Sequence, residues 1–177
     1  MSMTGLDASP EPGPPGGPTL EIELISAHAR LSGSVSLGAY TRLSDLLSFH
    51  DDILTVTDGV ILTRSGEGTD NRAPRLDVRL ETLTMVIDRS NYVPPPDAEQ
   101  AIEKTAHRML AVTEAHLITA TFFIYPSAEP VAYLRAHEPR WIPVTDLHLT
   151  SLTDSKVEVR AKFAVLRRAP FILTTVL

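Results

Sequence analysis

The chain of 177 residues contains no cysteine. This absence excludes disulfide bonds, thiolate metal sites and cysteine nucleophiles together. Aromatic residues make up only 6% of the chain, with a single tryptophan, but hydrophobic residues at 43% are enough for a packed core. No apolar run reaches the roughly 18 residues that a membrane-spanning helix needs, so no association with a membrane is expected.

The chain also lacks the basic excess that non-specific nucleic-acid binding requires. Its formal net charge is −6, and residues 93–177 carry nine acidic and nine basic side chains. We therefore expect no tight binding to nucleic acid. The N-terminus has no basic stretch followed by an apolar core, so no signal peptide is evident and a cytoplasmic location is expected.

Sequence motifs of catalysis are missing as well. The chain contains no G-x-S-x-G elbow, no G-x-G-x-x-G fingerprint and no phosphate-binding loop. Ser44 and Asp45 are adjacent, but no histidine follows in a triad-like order, and the six histidines are scattered. No catalytic residue, cofactor or cofactor-binding residue is predicted.

One short segment combines metal-ligand types. His50, Asp51 and Asp52 offer an imidazole and two carboxylates, which together could bind a metal ion. No second histidine or glutamate lies at a ligand spacing nearby, so a solvated turn before a strand is the favoured interpretation. No metal site is predicted.

What the sequence does contain is a repeated segment. Ile53 to Leu62 and Trp141 to Thr150 are both apolar segments with Val-Thr-Asp at their centre. Aligning Val56 with Val144 sets an offset of 144 − 56 = 88 residues. The order of strand, turn, short helix, strand and strand recurs around both segments, which predicts a duplicated module. The alternative is the self-similarity common in all-β chains.

Local patterns predict short helices and turns between strands. Arg42 to Phe49 has Leu43, Leu46 and Leu47 at helical spacing and is predicted as a short helix. Glu129 to His137 lies at the equivalent place before the second segment and is predicted as a short helix by that parallel. Asp58 with Gly59 is typical of a hairpin turn, and Asp146 is its equivalent in the second segment. A pair of carboxylates for acid–base chemistry is the other interpretation of these aspartates, but a turn role is favoured.

A proline cluster divides the chain. After Pro94-Pro95-Pro96, Asp97 and Gln100 resemble a capping box. The following apolar and small residues lie on one face of a helix that would end near Ala111. That face consists of Ala98, Ile102, Thr105, Met109 and Val112.

These observations predict four parts of the chain. They are a disordered Pro/Gly-rich tail (1–18), a first small β module (19–92), a linker and helix (93–113) and a second small β module (114–177). Phe171 to Leu177 is too apolar to lie free in water. It is predicted as an integral strand that pairs within the chain or, second, with another subunit.

Three motifs of the first unit carry a resemblance to a known family. They are Gly33-x-Val35, Arg42-Leu43-Ser44-Asp45-Leu46-Leu47 and Ile53-x-x-Val56-Thr57-Asp58. With them, Gly33 to Ile61 resembles a family of uncharacterised bacterial proteins with an Sm-like small β-barrel. The second unit departs, because Pro130-Val131-Ala132-Tyr133-Leu134 replaces the Arg-Leu-Ser-Asp-Leu core. Together with the repeat and the predicted helices, the resemblance implies a mainly β fold in which both modules, 19–92 and 114–177, are small Sm-like or SH3-like β-barrels in tandem, with short helices and one inter-module helix. Sm-like barrels often form rings and bind RNA, which is an analogy of fold.

The leading functional hypothesis is a non-enzymatic structural or protein-interaction module with an unknown protein partner or with itself as partner, in a homo-oligomer. One alternative is an RNA-binding Sm-like protein, and another is a small-ligand binder or enzyme with its site between the modules. The candidate interaction surface consists of Trp141, Arg140, Lys156, Arg160 and Lys162. For Trp141, packing is favoured over stacking on a base.

Overall fold

The computed structural model describes residues 16–49, 52–63, 67–95, 103–136, 140–154, 157–168 and 171–177. Across these ranges the chain is mainly β, as predicted, with ten strands and two short α-helices. The elements of the first half are β1 (Thr19–Ser26), β2 (Arg30–Ser36), α1 (Leu43–Phe49), β3 (Ile53–Leu62), β4 (Gly68–Arg79), a 3-10 helix (Leu80–Thr82) and β5 (Leu83–Asp88). Those of the second half are β6 (Thr105–Val112), β7 (His116–Ile124), α2 (Pro130–Arg135), β8 (Trp141–Ser151), β9 (Glu158–Arg167) and β10 (Leu173–Val176).

All ten strands pair antiparallel in one sheet. The first half has the order β5-β1-β2-β3-β4, and the second half has the order β10-β6-β7-β8-β9. The two halves join where β9 pairs with β5. Among the described residues β10 and β4 end the sheet, so the sheet is open and the barrels stay a prediction.

Two apolar cores lie on opposite faces of the central strands. Successive side chains of a strand point to opposite faces, and accordingly Leu24 and Val86 join one core while Ile25 and Met85 join the other. Core 1 contains Leu20, Ile22, Leu24, Val35, Leu37, Leu43, Leu46, Leu47, Leu54, Val56, Leu80, Leu83, Val86, Trp141 and Val165. Core 2 contains Ile25, Met85, Ile87, Met109, Ala111, Ile118, Ala120, Phe122, Ile124, Leu134, Ile142, Val144, Leu147, Leu149, Val159, Ala164 and Leu166.

The two predicted short helices are confirmed. In α1, Leu43, Leu46 and Leu47 are buried on the face that joins core 1, as their spacing requires. In α2, the Glu129 side chain caps the N-terminus by accepting hydrogen bonds from two backbone N–H groups, and Leu134 packs into core 2.

The predicted hairpin at Asp58 and Gly59 is wrong. Both residues lie inside β3, which pairs with β2 and β4 on either side of them. Asp58 has a φ of 50°, and the β2–β3 register shifts there, so the residue forms a bulge and the chain does not reverse. Asp146 has the same φ of 50° inside β8, beside a register shift in the β7–β8 pairing.

The predicted inter-module helix is wrong over its second half. Thr105–Val112 is strand β6, hydrogen-bonded to β7 on one side and to β10 on the other. The apolar spacing also fits a strand, because Met109 and Ala111 alternate into core 2, and pairing with two neighbours outweighs local propensity. Residues 97–102, where the helix was predicted to start, lie outside the described residues.

The C-terminal strand is confirmed, and it pairs within the chain. β10 lies antiparallel to β6, with Leu173 opposite Val112 and Val176 opposite Met109. The first 15 residues of the predicted tail lie outside the described residues. The module boundaries at 92, 93 and 113 stay predictions.

Candidate functional site

A polar cleft of about 660 Å³ lies where the two halves of the sheet meet. Its walls come from the end of β5, from β6, from the bulge of β8 and from β9. The lining residues are Asp88, Arg89, Asn91, Arg108, Asp146, Leu147, His148, Arg160, Ala161 and Lys162. The cleft therefore takes residues from both halves.

The bulge in β8 forms one wall of the cleft. Asp146 adopts the left-handed backbone region there, and bulges of this kind commonly redirect side chains near functional sites. Its backbone carbonyl accepts a hydrogen bond of 2.7 Å from the Arg108 guanidinium, which fixes β6 against β8 at the rim. The bulge thus holds one cationic group in place.

Positive charge exceeds negative charge in the cleft. Arg89, Arg108, Arg160 and Lys162 supply four cationic groups, whereas Asp88 and Asp146 supply two carboxylates. At the rim, Glu158 lies 2.7 Å from Arg160 and 2.9 Å from His148. The Arg160 guanidinium lowers the pKa of the Glu158 carboxyl, so this carboxylate stays ionised and offsets part of the positive charge.

A buried carboxylate binds Arg89, one of the residues that line the cleft. The Glu23 side chain on β1 is only 7% exposed and accepts a hydrogen bond of 2.7 Å from Arg89 and one from Arg30. Arg89 also donates to the backbone carbonyl of Arg160 at 3.0 Å, so it bridges β1 to β9. Buried charges are tolerated when they are paired in this way, and the network fixes Arg89 at the junction of the halves.

Two basic residues of the cleft have no basic counterpart at the matching positions of the first half. By the strand pairing, Lys162 lies opposite the Asp146 bulge and Pro74 lies opposite the Asp58 bulge. Arg108, which faces Thr121 on β7, corresponds to Glu21, which faces Ser34 on β2. The basic character is therefore particular to the second half.

The structure brings only two of the five candidate surface residues together. Arg160 and Lys162 share the cleft. Arg140 lies elsewhere, 3.8 Å from the Asp52 carboxylate. Trp141 is 3% exposed in core 1, so it packs as favoured and offers no ring to a base. Lys156 lies outside the described residues.

The remaining predicted groups form no site with one another. Ser44 donates a weak hydrogen bond of 3.3 Å to its neighbour Asp45. Asp52 is 90% exposed beside Arg140, and His50 and Asp51 lie outside the described residues. In the described part of the chain, no three histidine or acidic side chains are grouped to hold a metal ion.

Sequence reasoning missed Arg89, Arg108 and His148. Arg89 follows a strand with no motif around it, and Arg108 lies in the segment that was predicted as a helix. Their proximity depends on the pairing of β5 with β9 and of β7 with β8, which joins segments far apart in sequence and leaves no local signal.

The two open edges of the sheet form a second candidate feature. At the junction inside the chain, the paired residues of β5 and β9 are fully buried. At the free edges, Ile53 beside β4 is 47% exposed, and Ile172, Val176 and Leu177 around β10 are 71%, 44% and 65% exposed. Exposed apolar side chains beside an unpaired strand edge are typical of a surface for protein association.

Comparisons with known proteins give no relative. No family model, curated protein or solved structure matches the chain. No described helix has the length and apolar character needed to span a membrane.

Proposed function

We propose that the chain is a tandem duplicate of a small barrel-like β module and serves as a non-enzymatic, structural protein that associates through its sheet edges. The support for duplication is the strand pairing. Each half has the order strand, strand, helix, three strands, and in each half the fifth strand returns to pair with the first. A 3-10 helix before the last strand of the first half also fits a strongly bent, SH3-like module.

The bulged strands strengthen the duplication hypothesis. Two aspartates 146 − 58 = 88 residues apart have the same φ of 50°, which few residues other than glycine adopt. Both bulges lie in the third strand of their half. The same unusual backbone angle at equivalent positions is expected if both halves derive from one module.

The structural role is carried by one observation. The contact between the halves is an edge-to-edge strand pairing of β9 with β5. The strands at the open ends of the sheet are their counterparts in the proposed repeat: β4 is the counterpart of β9, and β10 is the counterpart of β5. A module that pairs in this way within the chain has the same two edges available for further association.

Native mass spectrometry of the purified chain tests the structural role. We expect species at whole multiples of 19.3 kDa, with the multimer fraction rising with concentration. The apolar character of the open edges predicts that this association persists at high salt. A chain that stays monomeric at every concentration would contradict the proposal, as would turnover of a substrate at the cleft.

A second candidate function is weak binding of a small anion in the cleft, which corresponds to a ligand site between the modules. Four cationic groups line it, namely Arg89, Arg108, Arg160 and Lys162. With two carboxylates in the same cleft, the attraction is modest and sensitive to salt.

Calorimetric titration with inorganic phosphate at low and high salt tests this second function. Lys162→Ala should weaken binding, whereas Lys104→Ala, which removes an exposed lysine stacked on Tyr125, should not. Equal effects of both variants would show a general charge effect without a site.

A further inference from the structure

The contact inside the chain has a defined register. Where β5 meets β9, Met85 pairs with Leu166, Val86 with Val165, and Ile87 with Ala164. All six residues are fully buried. This pairing shows the register in which the fifth strand of one half, β5, binds the fourth strand of the other half, β9.

The repeat transfers this register to the open edges. Thr57 pairs with Arg75, and its equivalent Thr145 pairs with Phe163, so β4 and β9 correspond at 163 − 75 = 88. β5 and β10 correspond at the same offset. This offset follows from the residues that they pair with. Ile22 pairs with Asp88, and Met109, which holds the position of Ile22 in the second half, pairs with Val176, so Asp88 and Val176 are equivalent at 176 − 88 = 88.

We infer that the chain associates head to tail with a second copy, β10 of one copy pairing antiparallel with β4 of the next. Subtracting or adding 88 gives the register: Leu173 opposite Val78, Thr174 opposite Asp77, and Thr175 opposite Leu76. This inference rests on the proposed structural function and names the partner and the contact. A second copy is the occupant because it repeats a pairing that the chain already makes with itself.

Side chains beyond the paired strands support the same contact. Trp141 lies at the start of β8 and is 3% exposed, because at the junction it packs into core 1 of the other half. Its equivalent, Ile53, opens β3 and is 47% exposed. A second copy placed by the inferred register would cover Ile53 as the first half covers Trp141.

An arginine shows the same contrast. Arg167 at the end of β9 crosses the junction and donates to the backbone carbonyl of Glu81. Arg79 is its equivalent on the open edge, and its side chain is 72% exposed. The open edge thus carries both the apolar and the basic partner that the internal junction uses.

Three positions change from apolar to polar relative to the internal junction, and they weaken the contact between copies. Val165 is replaced by Asp77, Val86 by Thr174, and Ile87 by Thr175. Asp77 is held by Thr55 at 2.8 Å and by Arg75 at 3.1 Å. A charged residue on an edge strand weakens edge pairing. We therefore expect the contact between two copies to be reversible, whereas the contact between the two halves of one chain persists as long as the chain is folded.

Engineered cysteines test the register, and the absence of native cysteine makes the result unambiguous. Directly opposite residues of antiparallel strands lie about 4.5–5.5 Å apart at Cα, within the range of a disulfide. Asp77→Cys with Thr174→Cys should therefore give covalent multimers under mild oxidation. Arg79→Cys with Thr174→Cys, shifted by two residues, should give at least about tenfold fewer. Val86→Cys with Val165→Cys should cross-link inside one chain and serves as the positive control.

A substitution that copies the internal junction tests the contact without cross-linking. Asp77→Val should tighten self-association about tenfold or more in sedimentation experiments, because it restores the valine of Val165. Glu158→Val is the matched control, since its side chain is 45% exposed and that of Asp77 is 47% exposed, but Glu158 lies inside the sheet. This control should leave the association constant unchanged.

The outcomes separate this inference from the proposed function. A multimer that neither cross-links at residues 77 and 174 nor responds to Asp77→Val would overturn the register while the structural function stands. A chain that is monomeric at all concentrations would overturn both. Cross-linking of residues 77 and 174 within a monomer would show that the sheet closes on itself, which also overturns the inference.

Discussion

The two bulge aspartates show how much one backbone angle can decide. Asp58 and Asp146 both have a φ of 50°, a region that aspartate tolerates better than most residues because its short side chain bonds locally. We predict that Asp146→Val lowers the free energy of unfolding by about 1–2 kcal/mol, whereas Asp146→Gly changes it little. Urea denaturation of both variants measures the difference. Equal losses would show that the carboxylate, and not the angle, matters.

His116 gives a prediction about pH. Its side chain is 6% exposed, and this burial lowers the pKa of the imidazole, so the folded chain favours the neutral ring. Below about pH 6.5 the unfolded chain takes up the proton more readily, so stability falls as pH falls from there toward the folded pKa. Replacing His116 with leucine should make the loss between pH 7.5 and pH 5.5 smaller in urea denaturation. An unchanged pH profile would show that other groups cause it.

At the scale of elements, the sequence predicts what depends on neighbours in the chain. The leucines of α1 and the apolar segments of β3 and β8 were predictable because their spacing repeats. β6 was not predictable, because the spacing of Met109 and its apolar neighbours fits a helix as well as a strand. Only the pairing with β7 and β10 decides for the strand, and the local sequence does not show that pairing. The β5–β9 junction and the cleft were also unpredictable, since they bring together residues with no sequence pattern between them.

Trp141 tests the junction between elements. It belongs to β8 yet packs into core 1 with Val165 and residues of α1. We predict that Trp141→Ala lowers the free energy of unfolding by about 3–5 kcal/mol, the range for large buried aromatic residues. Ile53→Ala, at the equivalent but exposed position, should lower it by under about 1 kcal/mol. Guanidinium titration of both variants measures the two costs. Similar costs would show that Trp141 is not an anchor of the junction.

At the scale of the whole molecule, the two cores depend on each other. Core 1 takes Trp141 and Val165 from the second half, and core 2 takes Ile25, Met85 and Ile87 from the first. Neither core is complete without strands of the other half. Unfolding should therefore be one cooperative transition that includes both halves of the sheet.

Met85→Ala makes this cooperativity measurable. Met85 is fully buried, lies in the first half and packs in core 2. Its truncation should cost about 2–5 kcal/mol. If the halves unfold together, amide hydrogen exchange should show the same loss of protection in β2 and in β7, the strands that pair inside each half. Ile61→Ala, on a residue that is 42% exposed, is the control and should change neither strand. Loss of protection in β7 alone would show that the halves unfold separately, and the junction would then be a contact between two independent folds.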